Sequence, residues 1–259
     1  MIHRPSYAHA ATLLVRRELA EQTRGSIFGW LWLLIQPLFL LAVYTLVFGK
    51  FLGVRFGASG TTGEFALYLF AALVPFVALQ DGVMRGGNRL IDDPGSAKNL
   101  SVPAYLLPAV PVITTVVTEG AGLLVLVAWA VAERGQMTPW MLVLPFLVAT
   151  RVMLTLTAAL VLSVLSVAVR DLRHIVAMLL TVLFFATPII YPAEMVPAEW
   201  GWLHTANPLY HLVEGYRDVI LRGVPPSMPV LLLAVGLVPC LYAAYRFYCA
   251  TESRIKDLL

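Results

Sequence analysis

Six apolar stretches, parted by short charged or proline-rich breaks, organise the chain. They lie at roughly 27–49, 65–85, 106–131, 139–169, 175–192 and 228–247. About 20 apolar residues in a helix cross the hydrocarbon of a bilayer, and a helix pairs its own backbone groups in lipid. The pattern predicts an all-α polytopic membrane protein with six transmembrane helices. Trp30 and Trp32 open the first span at headgroup depth. Pro37 and Pro75 sit inside the first two spans and predict kinks. The fourth span is longer than a bilayer requires, which predicts tilt or a break at Pro145.

The polar breaks carry their own patterns. Over residues 7–24, Ala8, Ala11, Val15 and Leu19 recur at helical spacing, with Arg17, Glu21 and Arg24 on another face. This is the pattern of an amphipathic helix lying on the membrane surface, as a plain anchor or as part of a docking platform. Asp92-Asp93-Pro94-Gly95 marks a turn, and Arg85, Asn88 and Arg89 suggest that the second helix projects beyond the bilayer. Glu133-Arg134-Gly135 closes a hairpin between spans three and four. Residues 194–223 are too polar to span, yet Leu209, Leu212, Val213, Tyr216 and Ile220 keep helical spacing. Short re-entrant helices before the last span fit both facts, since non-spanning backbone at membrane depth must be covered by protein or water.

Composition agrees: the chain of 259 residues is 59% hydrophobic and 13% charged. Its net charge of +3 is spread among the breaks and does not suggest nucleic-acid binding. With the N-terminus inside, twelve Lys and Arg fall in cytoplasmic segments and five outside, with Arg151 left within a span. By the positive-inside rule both termini are expected in the cytoplasm. Apolar sequence begins only near Ile27, after Arg16, Arg17, Glu18, Glu21 and Arg24, so no cleavable signal peptide is expected. Cys240 and Cys249 are nine apart and cannot bridge along one straight helix.

Chemistry is sparse. Gly49-Lys50 lacks the upstream glycine and following Ser or Thr of a phosphate loop. His204, His211 and Glu214 are too few and too loosely spaced for a convincing metal site. One intramembrane constellation stands out. Glu119 and Arg151 lie sixteen residues either side of Gly135, so an antiparallel hairpin brings them to similar depth. Charge there is costly unless paired. The pair serves as a proton or substrate relay, or as a structural tie. Aromatic residues crowd spans one, two and five: Tyr44, Phe48, Phe65, Tyr68, Phe76, Phe184, Phe185 and Tyr191. They form an interfacial belt or a surface that sugar rings can slide along.

Three groups of residues carry a family resemblance. The first is Arg16-Arg17-Glu18, Thr23 to Ser26, Phe28 to Trp32, Pro37 and Tyr44. The second is Leu73 to Phe76, Asn99 to Pro103, and Pro108. The third is Arg170-Asp171-Leu172, Thr187 to Pro192, and Asn207-Pro208-Leu209. In this order the chain resembles the membrane subunits of ABC-2 type exporters, in particular those moving O-antigen, capsule or teichoic-acid polysaccharides. Phe76 departs from the tryptophan that many relatives place there, and the acidic turn at Asp92 departs as well.

The resemblance implies one transmembrane domain over 1–259. Its parts would be a cytoplasmic interface helix (1–26), spans one to five (27–192), an external re-entrant segment (193–224), and span six with a cytoplasmic tail (225–259). It implies a homodimer in the bacterial inner membrane, driven by two copies of a separate ATPase and moving a lipid-linked glycan. The chain itself would be no enzyme and hold no cofactor, with ATP and Mg on the partner. Docking on the ATPase would fall to about 89–103 and the interface helix, with Arg17, Glu21, Arg89, Lys98, Asn99 and Leu100 as candidates. Tyr44, Phe48, Phe184, Phe185 and Tyr191 would line the glycan path. O-antigen is the favoured substrate. A permease for capsule or teichoic acid, one for drugs or small lipids, and a membrane transferase are the alternatives. A transferase should show clustered acids or histidines at one membrane face, and this chain does not.

Overall fold

The computed structural model describes residues 7–23, 27–51, 53, 62–95, 103–135 and 137–258, and no strand occurs among them. Helix α1 covers Tyr7–Thr23. Helix α2, Trp32–Tyr44, follows a 3-10 turn at Gly29–Leu31 and widens into a π-helical turn at Thr45–Phe51. Then come α3 (Thr62–Asp92), α4 (Leu106–Arg134), α5 (Leu144–Ala168) and α6 (Leu172–Ala186). Two short helices follow, α7 (Trp202–Ala206) and α8 (Pro208–Arg217), and α9 (Met228–Leu258) ends the chain.

Among the described residues, four helices are long and apolar enough to cross a membrane: Thr62–Asp92, Leu106–Glu133, Pro139–Ala168 and Met228–Arg254. The first and fifth expected spans correspond to shorter apolar helices, Leu34–Phe48 and Leu172–Ala186. At 1.5 Å per residue each covers about 22 Å, less than the roughly 30 Å of a bilayer core. Proline explains where the fifth helix stops. Thr187 is extended (ψ 131°) because Pro188 disfavours helical backbone at the residue before it. The fourth segment starts in two stages, a 3-10 turn over Pro139–Val143 and then α5 with Pro145 in its first turn. The last helix continues through the charged residues after 247, where the sequence reading places a tail.

Helix α3 is the hub. It is buried nearly all round from Phe65 to Leu79, as expected of an apolar stretch, and on one face from there to Leu90. Small residues bring its neighbours close. A Cβ on Gly82 would stand 2.6 Å from Thr155 Cγ2 of α5, and one on Gly86 would stand 2.8 Å from both Ala159 Cβ and the Pro108 carbonyl oxygen. This is the small-xxx-small packing of membrane helices. A second cluster ties α9 to the start of α4, where the buried Tyr248 hydroxyl donates to the Ala104 carbonyl at 3.0 Å. The hairpin after α4 turns at Gly135, whose φ of 72° suits a glycine helix cap. On the outer faces of α6 and α9, Met178, Leu179, Val182, Leu232, Val235 and Val238 are exposed. Such apolar surface needs lipid or protein to cover it.

Candidate functional site

Glu119, midway along α4, and Arg151 of α5 meet, and neither side chain has exposed surface. Arg151 Nε donates to Glu119 Oε2 at 3.0 Å, and Nη2 donates to the same oxygen. Its Nη1 donates to Thr115 Oγ1 at 2.7 Å. The other carboxylate oxygen, Oε1, accepts the Tyr216 hydroxyl at 2.7 Å. Four side chains thus tie α4, α5 and α8 together with both carboxylate oxygens satisfied. Thr115 stands one turn before Glu119 on the same face, so helical spacing alone could have found it. Tyr216 lies 97 residues away in a segment with no pairing signal.

The five residues expected to line a path gather between α2 and α6. Tyr44 stacks on Phe184 with ring centroids 6.0 Å apart and lies 6.2 Å from Phe48. Phe184 meets Phe185 at 5.2 Å, and the Tyr191 hydroxyl donates to the Phe185 carbonyl at 2.5 Å. Phe76 of α3 forms a further wall, 5.1 Å from Phe184. The rings divide by exposure. Tyr44, Phe48 and Phe184 are half-buried against the core, whereas Phe185 is 56% exposed.

The charged end of α3 meets α1. Arg85 donates twice to Asp81, at 2.8 and 2.5 Å, and once to Glu18 at 3.1 Å. Arg89 donates to the other Glu18 oxygen at 2.8 Å and lies 3.8 Å from Asp93. Glu18 is buried, so the face that α1 turns inward is set by this carboxylate as well as by apolar residues. Of the expected docking residues, Arg17 and Glu21 remain outward, paired with each other at 2.7 Å. The hydrogen bond and charge of Glu21 hold the Arg17 pKa above its ordinary value. Arg89 is engaged within the chain. Lys98, Asn99 and Leu100 lie outside the described residues.

A third group holds the segment between α6 and α9. Arg217 is fully buried and lies 3.5 Å above the Tyr68 ring. It donates to the carbonyls of Pro188 (2.8 Å), Ile189 (3.1 Å) and Tyr68 (3.3 Å) and to Glu214 (2.7 Å). Asn207 caps α8 by accepting from the Leu209 amide at 3.0 Å and donates to Thr187 Oγ1 at 2.8 Å. The two proline motifs at 187–192 and 207–209 are therefore halves of one joint. The nearby histidines have packing partners: His204 stacks on Tyr210 at 4.9 Å, and a His211 ring nitrogen lies 3.0 Å from the Thr205 carbonyl.

A family model described as ABC-2 type transporter matches residues 9–221. The chain belongs to the ABC-2 type transporter family. Similar curated proteins cover nearly its whole length. The O-antigen export system permease protein RfbA of Myxococcus xanthus is 30% identical over 248 residues, 94% of this chain and 92% of that one. An RfbA of the same description from Klebsiella pneumoniae is 24% identical over 217 residues, 82% and 80% of the two chains. The polysialic acid transport protein KpsM of Escherichia coli is 22% identical over 244 residues, 92% of each. As an ABC-2 permease, this chain is a transport component rather than a catalytic one.

Proposed function

We propose that the chain is the permease subunit of an ABC exporter that moves a lipid-linked polysaccharide, with O-antigen the favoured cargo, across the inner membrane. The observation that carries this is the match, over 94% of this chain, to a permease named for O-antigen export. Similarity to the polysialic acid transport protein supports a capsule-type polysaccharide as the second reading. In this reading two copies of the chain and two of a separate ATPase form the transporter. ATP and Mg bind on the ATPase, and this chain holds neither. Six segments cross the membrane with both termini in the cytoplasm, and the short α2 and α6 are accommodated by local thinning of the bilayer. The segment 193–224 is re-entrant on the outer side. Arg17 and Glu21, exposed on α1, and the stretch 89–103 with Lys98, Asn99 and Leu100 face the ATPase.

Deleting the gene is expected to trap the glycan inside the cell, and restoring chain and ATPase together should return it to the surface. Purified alone, the chain should hydrolyse no ATP above background. Surface glycan that persists in the deletion strain would remove the reading.

The aromatic cluster between α2 and α6 is proposed to line the path. A moving polymer needs weak, repeated contacts, since a tight site would stall it. Phe185 is the ring most free to meet it. Phe185→Ala is expected to lower export roughly two- to tenfold, matching the loss of about 0.5–1.5 kcal/mol of ring contact, with normal protein level. Unchanged surface glycan would assign the ring to lipid or dimer packing.

A further inference from the structure

A cavity of about 310 Å³ lies within the single chain, away from the α6 aromatics. From Arg85 to Val74 it follows eleven residues of α3, roughly 16 Å at 1.5 Å per residue. In the proposed orientation it reaches from the cytoplasmic end to mid-membrane. Trp32 and Gln36, both exposed, form its rim, Asp81 and Arg85 lie toward α1, and Thr118 and Glu119 close the inner end. Val74, Val77 and Ala78 supply apolar wall.

The charges on this lining decide what fits. Among the described lining residues Arg85 is the single cation, and it is already held by both Asp81 oxygens and by Glu18. A phosphate would meet the exposed Asp81 carboxylate and a guanidinium without free charge. A cation fares no better, because Asp81 and Glu119 each have an arginine partner already. A neutral ligand with many hydroxyls meets no such penalty. Its hydroxyls can donate to the exposed Asp81 carboxylate and exchange bonds with the Gln36 amide and Thr118, and its ring can lay an apolar face on Trp32 or the valines. The volume is at the small end of ligand pockets, right for one or two sugar rings and too small for a polymer.

We propose that this cavity seats a neutral sugar unit of the glycan on the cytoplasmic side before it moves into the path. This rests on the polysaccharide reading and places the first recognition step inside each subunit. The ion cluster of Glu18, Asp81, Arg85 and Arg89 forms the adjoining contact with α1, so displacement of α1 would open the seat from the cytoplasmic end.

The test is cysteine accessibility at the rim. In a Cys240→Ser/Cys249→Ser background, Gln36→Cys is made in the complex with its ATPase, purified without Mg or ATP so that no turnover occurs. Maleimide labelling is timed with and without lipid-linked glycan extracted from the host. With glycan at about ten times its Kd, the free fraction and hence the labelling rate should fall about tenfold. Val224→Cys, on the 223–227 loop, should label equally in both. In cells, Gln36→Trp should fill the seat and lower surface glycan about tenfold, with amount and melting temperature as in the parent. An unchanged Gln36→Cys rate overturns the proposal, even where gene deletion abolishes export and so upholds the polysaccharide reading. Export that survives deletion overturns both. An equal fall at Val224→Cys also overturns the seat, because the glycan would then act on the whole complex.

Discussion

Arg151→Leu is expected to cost roughly 3–5 kcal/mol, because it leaves the Glu119 carboxylate buried without its counter-charge. Glu119→Leu should cost more. It leaves a guanidinium that cannot shed its charge, held only by Thr115, and removes the acceptor of the Tyr216 hydroxyl. A carboxyl left alone can at least take up a proton. The double change to leucine removes both charges at once and should recover most of the loss, since apolar replacement of a whole buried pair is often neutral or better. The Tyr216 hydroxyl, then left without its acceptor, sets the remainder at about 1–3 kcal/mol, since Thr115 keeps its bond to the Val112 carbonyl, and adding Tyr216→Phe should recover most of it. Melting followed by size-exclusion chromatography in detergent reads all of these, with single-variant shifts on the order of 10 °C. A double variant no more stable than the worse single would show that charge pairing is not what keeps these residues there.

The second large effect is expected at Arg217. Its planar fork reaches carbonyls of Pro188 and Ile189 that no helix satisfies, because the chain after α6 is broken by Pro188 and Pro192. Arg217→Met would orphan those carbonyls, at about 1–3 kcal/mol for each buried group left unpaired, while Glu214 would keep its pairing with Arg222. Arg217→Lys keeps the charge beside Glu214 but replaces five fixed donors by a point charge on a flexible stem. It should fall between the parent and Arg217→Met. Besides lowering the melting temperature, both changes should raise amide hydrogen exchange at 189–191 above that of the α3 core. Exchange there that matches the parent in Arg217→Met would mean the joint is held by α8 packing and the Asn207 cap alone.

The hydrophobic pattern located the helices because lipid or core must receive each apolar face, and that requirement is local. Turn signals worked for the same reason: Gly135 and Pro188 constrain backbone at their own positions. Depth matching across one hairpin was enough to suggest Glu119 with Arg151. Contacts from outside that hairpin were not legible. Nothing near Tyr216 points to Glu119, and nothing near Arg217 points to carbonyls 28 and 29 residues earlier. On α1, periodicity separated an apolar stripe from Arg17 and Glu21 but did not mark Glu18, one residue on and about 100° around the helix, as the side that packs inward.

By itself, then, the sequence determined an all-helical membrane chain, the positions of its breaks and its family, all consequences of residue type and near-neighbour spacing. Only the tertiary structure decided that α3 is the hub, because glycine at 82 and 86 matters through what approaches it, Thr155, Ala159 and Pro108. It also decided which charges face one another and where a cavity remains among them. Both follow from how helices distant in sequence cross, and the chain's local pattern carries no record of that.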